Sequence, residues 1–349
     1  MSARDLLVFC LILLIASIAA ARAADPAEVA KVATYAGADR QAKLEAGARA
    51  EGALTVYTVG AQIDPVVKGF SARYPFLTLR VVKKDPPELV KQVTQEYQAG
   101  IYTVDAYELD DFGLRPLREA GVLAPFTTPE AAQYEPEAIE PGRHWVMMRQ
   151  DFISLGFNTD ALKPEDAPRS HRDLLDPKWK GRLAISASVS TIVTWVGALV
   201  LSEGEAFVRE LGPQNMRLYP LGGRAVSNLI VSGEVPIVVN NRRSHMYASA
   251  KDGAHVAWRA LGPSYTSVSG AALASRAKDP NAGMLFLDYL LGPEAQAVYT
   301  KQLGYASMRR DMQSSDAPAE KLYLTLRPDF YREYEQWNDL ADQVFRQAR

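Results

Sequence analysis

Two asparagines followed by two arginines close the segment Gly233-Glu234-Val235-Pro236-Ile237-Val238-Val239-Asn240-Asn241-Arg242-Arg243. Guanidinium presents a planar fork of donors that matches carboxylate or phosphate. The apolar, β-branched residues before the pair predict a short buried strand, and strand ends are where open α/β sheets hold ligands. Two more features carry the same chemistry. Ser188, Ser190 and Thr191 stand where a strand gives way to a helix, and Gly222-Gly223-Arg224 opens another helix. Helix starts offer unpaired N–H donors and the positive end of the macrodipole, so both favour anions. Surface ion pairs, ordinary capping and a common glycine turn would explain each feature singly. At three successive strand ends they converge on an anion site formed by Ser188, Ser190, Thr191, Gly223, Arg224, Asn240, Arg242 and Arg243.

The opposite half of the chain offers Gln62 after the first strand and Glu108 near the end of the third. Asp110 and Asp111 read as helix caps there. Tyr265 and Tyr247 are aromatic candidates for lining a cleft. A carboxylate facing a cationic wall would suit a ligand with an anion and an amine or hydroxyl. His144, His171, His245 and His255 show no metal-ligand spacing, and only His245 lies within a helical turn of the arginines. No nucleophile elbow, zinc signature or phosphate loop is present. A binding protein is therefore expected, with no catalytic residue, metal or cofactor.

Positioning these groups requires alternating strands and helices. Strands are predicted at Leu54 to Thr58, Leu77 to Val82 and Val104 to Leu109, with helices between them carrying Val66, Phe70 and Tyr74, then Leu89, Val93 and Tyr97. The pattern loosens past Pro125 and resumes from Trp145 to Asn158, where the first passage between two lobes is expected. A second set follows: strands at Leu183 to Ser186, Met216 to Tyr219 and His255 to Leu261, with helices from about Ser190, Glu205 and Gly222. The polar run Ser264 to Ser269 reads as the return passage. Such alternation implies an α/β fold with a mostly parallel sheet flanked by helices in each lobe.

At the start, Arg4, the apolar run Leu6 to Ala16 and Ala21-Arg22-Ala23 read as an export signal over residues 1–23. Cys10, the only cysteine, lies within it, so neither a disulfide nor a thiolate site is expected beyond it. With 39 basic and 41 acidic residues, the balance gives no basic face for nucleic acid. The remaining length suggests two domains. The expected boundaries are lobe 1 at 24–145 plus 265–320, lobe 2 at 146–264, and a C-terminal helical segment at 321–349. The last of these carries Trp337, Leu340 and Val344 as a buried stripe.

The order of Leu54–Thr58, Asp110–Pro125, Leu174–Ser186, Gly233–Asn241, Gly270–Leu273 and Gly292-Pro293-Glu294-Ala295-Gln296 resembles periplasmic substrate-binding proteins of ABC transporters. The similar subgroup contains ferric-iron and hexose-phosphate or phosphonate binders, and the likeness covers nearly all of the chain after residue 23. It implies two α/β lobes joined by crossing strands, a ligand clamped between them, and a liganded form presented to permease subunits. Ferric members carry two adjacent tyrosines after an Asn-Asn pair, where this chain has Arg242 and Arg243. Two permanent cations would repel a hard trivalent metal. Those members also hold a companion anion on positions matching Ser188 to Thr191, Gly223-Arg224 and Asn240. The resemblance thus implies a periplasmic, monomeric receptor for a phosphate-, phosphonate- or carboxylate-bearing solute. The alternatives are a ferric-iron binding protein of an ABC importer and a sensor subunit for a membrane kinase.

Overall fold

The computed structural model describes residues 24–346 except 61, 319, 325, 326 and 328. The expected export signal and Cys10 lie outside the described residues. No helix among the described residues is long and apolar enough to cross a membrane.

Helices α1 (Pro26–Ala33) and α2 (Arg40–Glu51) precede β1 (Ala53–Thr58), α3 (Asp64–Arg73), β2 (Thr78–Lys83), α4 (Pro86–Gln98), β3 (Ala106–Asp110), α5 (Asp111–Glu119) and the short β4 (Leu123–Ala124). Strands β2, β1 and β3 lie side by side and parallel, with β2 at the edge. Burial follows that order: β3 is buried almost throughout, while β2 alternates toward solvent. The chain then enters β5 (Val146–Asn158), whose thirteen residues are all buried and which runs out of one lobe into the other.

The second lobe comprises β6 (Ala184–Ser186), α6 (Val189–Glu203), α7 (Glu205–Glu210), β7 (Arg217–Tyr219), α8 (Gly223–Val231), β8 (Ile237–Arg242), α9 (Arg243–Lys251) and β9 (Val256–Arg259). Strands β8, β6 and β7 are parallel to one another, and β5 runs antiparallel to β8 and β9. The return is a single strand, β10 (Ser264–Ala274), antiparallel to β5 and β3. Thus the expected return passage, Ser264 to Ser269, is the first part of one longer strand. Helices α10 (Pro280–Leu291) and α11 (Pro293–Lys301) complete the first lobe, and β11 (Ala306–Ser307) pairs with β5.

Two large apolar cores mark the two lobes, and a smaller cluster around Val226, Ile230 and Val238 adds to the second lobe. One holds Leu54, Phe70, Leu109, Met148, Val268 and Phe286; the other begins at Ile153 and holds Leu183, Trp195 and Val239. Between them both crossing strands carry polar residues: Arg149, Gln150 and Asp151 on β5, Thr266 and Ser267 on β10. A polar waist between two dry cores is where a hinge finds least apolar packing to break.

The end of the chain makes a third passage. β12 (Lys321–Leu322) pairs with the start of β10, and α12 (Phe330–Ala341) packs on α6 of the second lobe. Trp337 and Leu340 join that lobe's core, so the C-terminal segment is part of it and not a separate body. Gly197 makes this seat possible, since a Cβ there would stand 2.4 Å from Trp337 Cε3.

Candidate functional site

The carboxyl ends of β6, β7 and β8 converge on one wall of the second lobe. Ala187 N donates to Tyr219 O at 2.7 Å, and Ser186 Oγ to Leu221 O at 2.8 Å, which draws the loops after β6 and β7 together. Helix α6 starts at this wall with Ser188 as its N-cap and no side-chain cap. Ser188 Oγ donates to Thr191 Oγ1 at 2.9 Å, Ser190 is exposed, and Thr191 is buried. Helix α8 starts beside it after Gly222, also without a side-chain cap. Gly223 lies so near α9 that a Cβ would meet His245 Cε1 at 2.9 Å and Arg242 Cδ at 3.7 Å. A side chain there would push the helix start off the wall.

Two guanidiniums face this space. Arg242 is half-buried, and one terminal nitrogen donates to Ser267 Oγ at 2.8 Å and stands 3.8 Å from Asp151 Oδ2. Its other two nitrogens have no hydrogen bond among the described residues. Arg224 makes one long contact, 3.5 Å to His245 O. His245 sits between them, its Nδ1 3.3 Å from Ser227 Oγ. Burial, together with the fields of Arg224 and Arg242, holds the imidazole down at about 4 against the pull of Asp151. It is therefore neutral at pH 7.

Several residues expected to bind are spent inside the protein. Asn240 is fully buried, with Oδ1 accepting from Ser186 N at 2.9 Å and Nδ2 donating to Ser186 O at 3.0 Å. It ties β8 to β6 in the way a backbone ladder would. Arg243 turns away from Arg242. It donates to Asp316 at 2.6 and 2.8 Å, to Ser314 Oγ and to Gly304 O, with Tyr247 and Trp258 against its face. Trp258 Nε1 also donates to Asp316, whose carboxyl is held at about 2 by these donors despite the cost of burial. Tyr247 joins the same contact, its hydroxyl donating to Lys301 O at 3.3 Å.

On the first lobe, Glu108 is fully buried. One oxygen accepts from Arg149 Nε and a terminal nitrogen at 3.0 and 2.5 Å; the other accepts from Thr58 Oγ1 and, at 3.1 Å, from Gly60 N. Arg149 is in turn stacked over Tyr305 at 4.2 Å. This is an internal ion pair at the root of the waist, with no carboxylate oxygen left for a ligand. Gln62 is half-buried in the loop after β1, without a hydrogen bond among the described residues. Tyr265 is buried where β10 enters the second lobe, and burial pushes its phenol well above the usual range.

The two aspartates differ. Asp110 caps α5, accepting from Gly113 N at 3.1 Å, and burial raises its carboxyl to about 6. Asp111 does not cap. It is 5% exposed, neither oxygen has a well-formed hydrogen bond among the described residues, and burial followed by repulsion from Asp110 pushes its carboxyl well above the ordinary value against the weak pull of the Asp111 and Phe112 N–H groups. Phe112, next in sequence, packs across the lobes on Phe330 at 5.0 Å and Tyr334 at 6.2 Å, which closes this side of the junction.

Asp151 is the residue that sequence reasoning missed. It caps α9 from the crossing strand, accepting from Ser244 N at 3.1 Å and Ser244 Oγ at 2.7 Å. The signal was present in Arg149-Gln150-Asp151, three polar residues inside an apolar run. Among the described residues no group of three or more His, Cys, Asp or Glu is placed to hold a metal ion.

A two-lobed α/β molecule with three passages through a polar waist, and donors gathered at strand ends, has the architecture of a solute receptor. Residues 109–333 match the bacterial extracellular solute-binding protein family, and the chain belongs to that family. It is 24% identical over 222 residues to an Fe(3+)-binding periplasmic protein of Serratia marcescens, a match spanning 58% of this chain and 65% of that one. Among solved structures it is similar to iron-bound HitA from Pseudomonas aeruginosa, with 22% identity, 84% of this chain and 99% of that one covered, and a TM-score of 0.67. It is also similar to the substrate binding protein of the ABC transporter from Agrobacterium tumefaciens, with 15% identity, 82% and 94% covered, and a TM-score of 0.68. At these identities the likeness establishes the two-lobed fold.

Proposed function

We propose that this protein is the periplasmic receptor of an ABC importer. It captures a small solute bearing a phosphate, phosphonate or carboxylate between its lobes and presents the closed form to permease subunits, without chemical turnover. The observation that carries this reading is the pairing of Arg224 and Arg242, both with uncommitted donors, beside two helix starts that lack side-chain caps. Half-buried guanidiniums and free backbone N–H groups at one wall bind anions strongly and bare metal cations poorly.

The relatives named for iron favour a second reading, in which the cargo is ferric. With arginines at the strand end and no group of three His, Cys, Asp or Glu placed to hold a metal among the described residues, iron here would enter as an anionic chelate held through its carboxylates. A thermal-shift screen separates the readings, since a ligand at a hundredfold excess over Kd stabilises by about 2.7 kcal/mol. Stabilisation by phosphate- or carboxylate-bearing solutes without iron supports the anion reading. Stabilisation by ferric salts alone sinks it.

A further inference from the structure

The charges at the lobe junction do not balance in pairs. Glu108 and Arg149 satisfy each other, and Asp151 is tied to the start of α9 with Arg242 3.8 Å away. Asp110 and Asp111 remain, both on the first lobe and both feeling the field of Arg242. Asp111 is buried with no well-formed hydrogen bond to either oxygen, only the nearby N–H groups of Asp111 and Phe112, and Asp110 has one oxygen on Gly113 N and no hydrogen bond to the other among the described residues. A buried carboxyl without a donor is costly, and the natural remedy is a cation with N–H groups. One lobe therefore lacks an anion at Arg224 and Arg242, and the other lacks a cation at Asp110.

We propose that the solute is a zwitterion. Its anionic group lies on Arg224, Arg242 and the starts of α6 and α8, and its ammonium is received by Asp110, with the Asp111 carboxyl behind. This rests on the anion reading above and narrows it. A plain anion engages the second lobe only, so it has little differential affinity for the closed form. A zwitterion ties both walls together and shifts the hinge.

Matched probes test this on the purified protein: O-phosphoethanolamine against ethyl phosphate, and 4-aminobutyrate against butyrate, with ferric citrate as control, all by titration calorimetry. The expected result is that the amine-bearing member of at least one pair binds about tenfold tighter, as one charge-assisted hydrogen bond provides. Asp110→Asn, which keeps a side-chain acceptor for Gly113 N, should collapse that ratio to about one. If this variant fails to fold by circular dichroism, Asp111→Asn carries the same comparison and should reduce the ratio. Equal affinities within both pairs, or a ratio untouched by either substitution, overturns the zwitterion while leaving the anion reading intact. Binding of ferric citrate with no member of either pair bound overturns both.

Discussion

Asn240 and Arg242 stand two positions apart on β8, and the same reasoning from sequence assigned both to the ligand. The structure separates them by what each side chain already holds. Asn240 exchanges two hydrogen bonds with Ser186, whereas Arg242 has one hydroxyl partner on β10 and two idle nitrogens. Asn240→Ala should therefore lower stability by about 1–3 kcal/mol in urea unfolding, the cost of stranding buried Ser186 groups. Loss of ligand affinity at unchanged stability would instead make Asn240 a direct ligand. Arg243 belongs with Asn240. Arg243→Ala should lower stability by about 1–3 kcal/mol by removing the Asp316, Ser314 and Gly304 contacts, as read by the urea midpoint. Strand ends were legible because β-branched runs stop at polar residues. The fate of each polar side chain was not, because its partner comes from 54 residues away for Asn240 and 73 for Arg243.

The elements themselves followed the periodicity closely. The strands at 54–58, 77–82 and 183–186 and the helices after them fall within a residue or so of the observed bounds. The passages at Trp145 to Asn158 and Ser264 to Ser269 were expected from the pattern, but it did not show that each belongs to one long unbroken strand, β5 and β10. In β5 the run Met147-Met148 and the run from Phe152 look like separate apolar segments, because the waist between them needs polar groups. Arg149 shows the consequence. Among the described residues its buried guanidinium makes one salt bridge, to Glu108, so Glu108→Ala should cost about 3–5 kcal/mol in chemical unfolding. A change under about 1 kcal/mol would mean that the pair is solvated and the waist open. The terminal helix was read as a buried stripe, but its seat on α6 depends on Gly197, which no periodicity announces.

For the molecule as a whole, two buried acids and one half-buried one weigh on the response to pH. In the folded protein the Asp105 carboxyl lies at about 7 and that of Asp110 at about 6, with Asp111 well raised, against an ordinary value of 3.8. Burial is the largest cause in each. Between about pH 4 and 7 these acids keep protons that the unfolded chain has lost, so their contribution to stability falls as pH rises; His245, held at about 4, and His171, also lowered by burial, act in the opposite sense over the lower part of this range and offset part of the fall. Asp316 works in the opposite sense, but its contribution is lost only as pH drops from about 4 toward 2. Melting temperature should therefore decline from pH 5 to pH 7, and Asp111→Asn should flatten the decline and raise the pH 7 value. A melting temperature that climbs over the same interval would show these acids to be ionised and solvated.

The fold class was legible from alternation, and the family bears it out. The chemistry of the wall rests on fewer residues, above all on Arg242, which separates this strand end from one bearing phenols. Titration calorimetry of the best iron-free anion from the thermal screen, on the parent chain and on Arg242→Ala, tests it most directly. The account predicts that the substitution weakens binding by about 2–4 kcal/mol, because it removes a partly desolvated guanidinium from the anion. Equal affinity in the two proteins would contradict it.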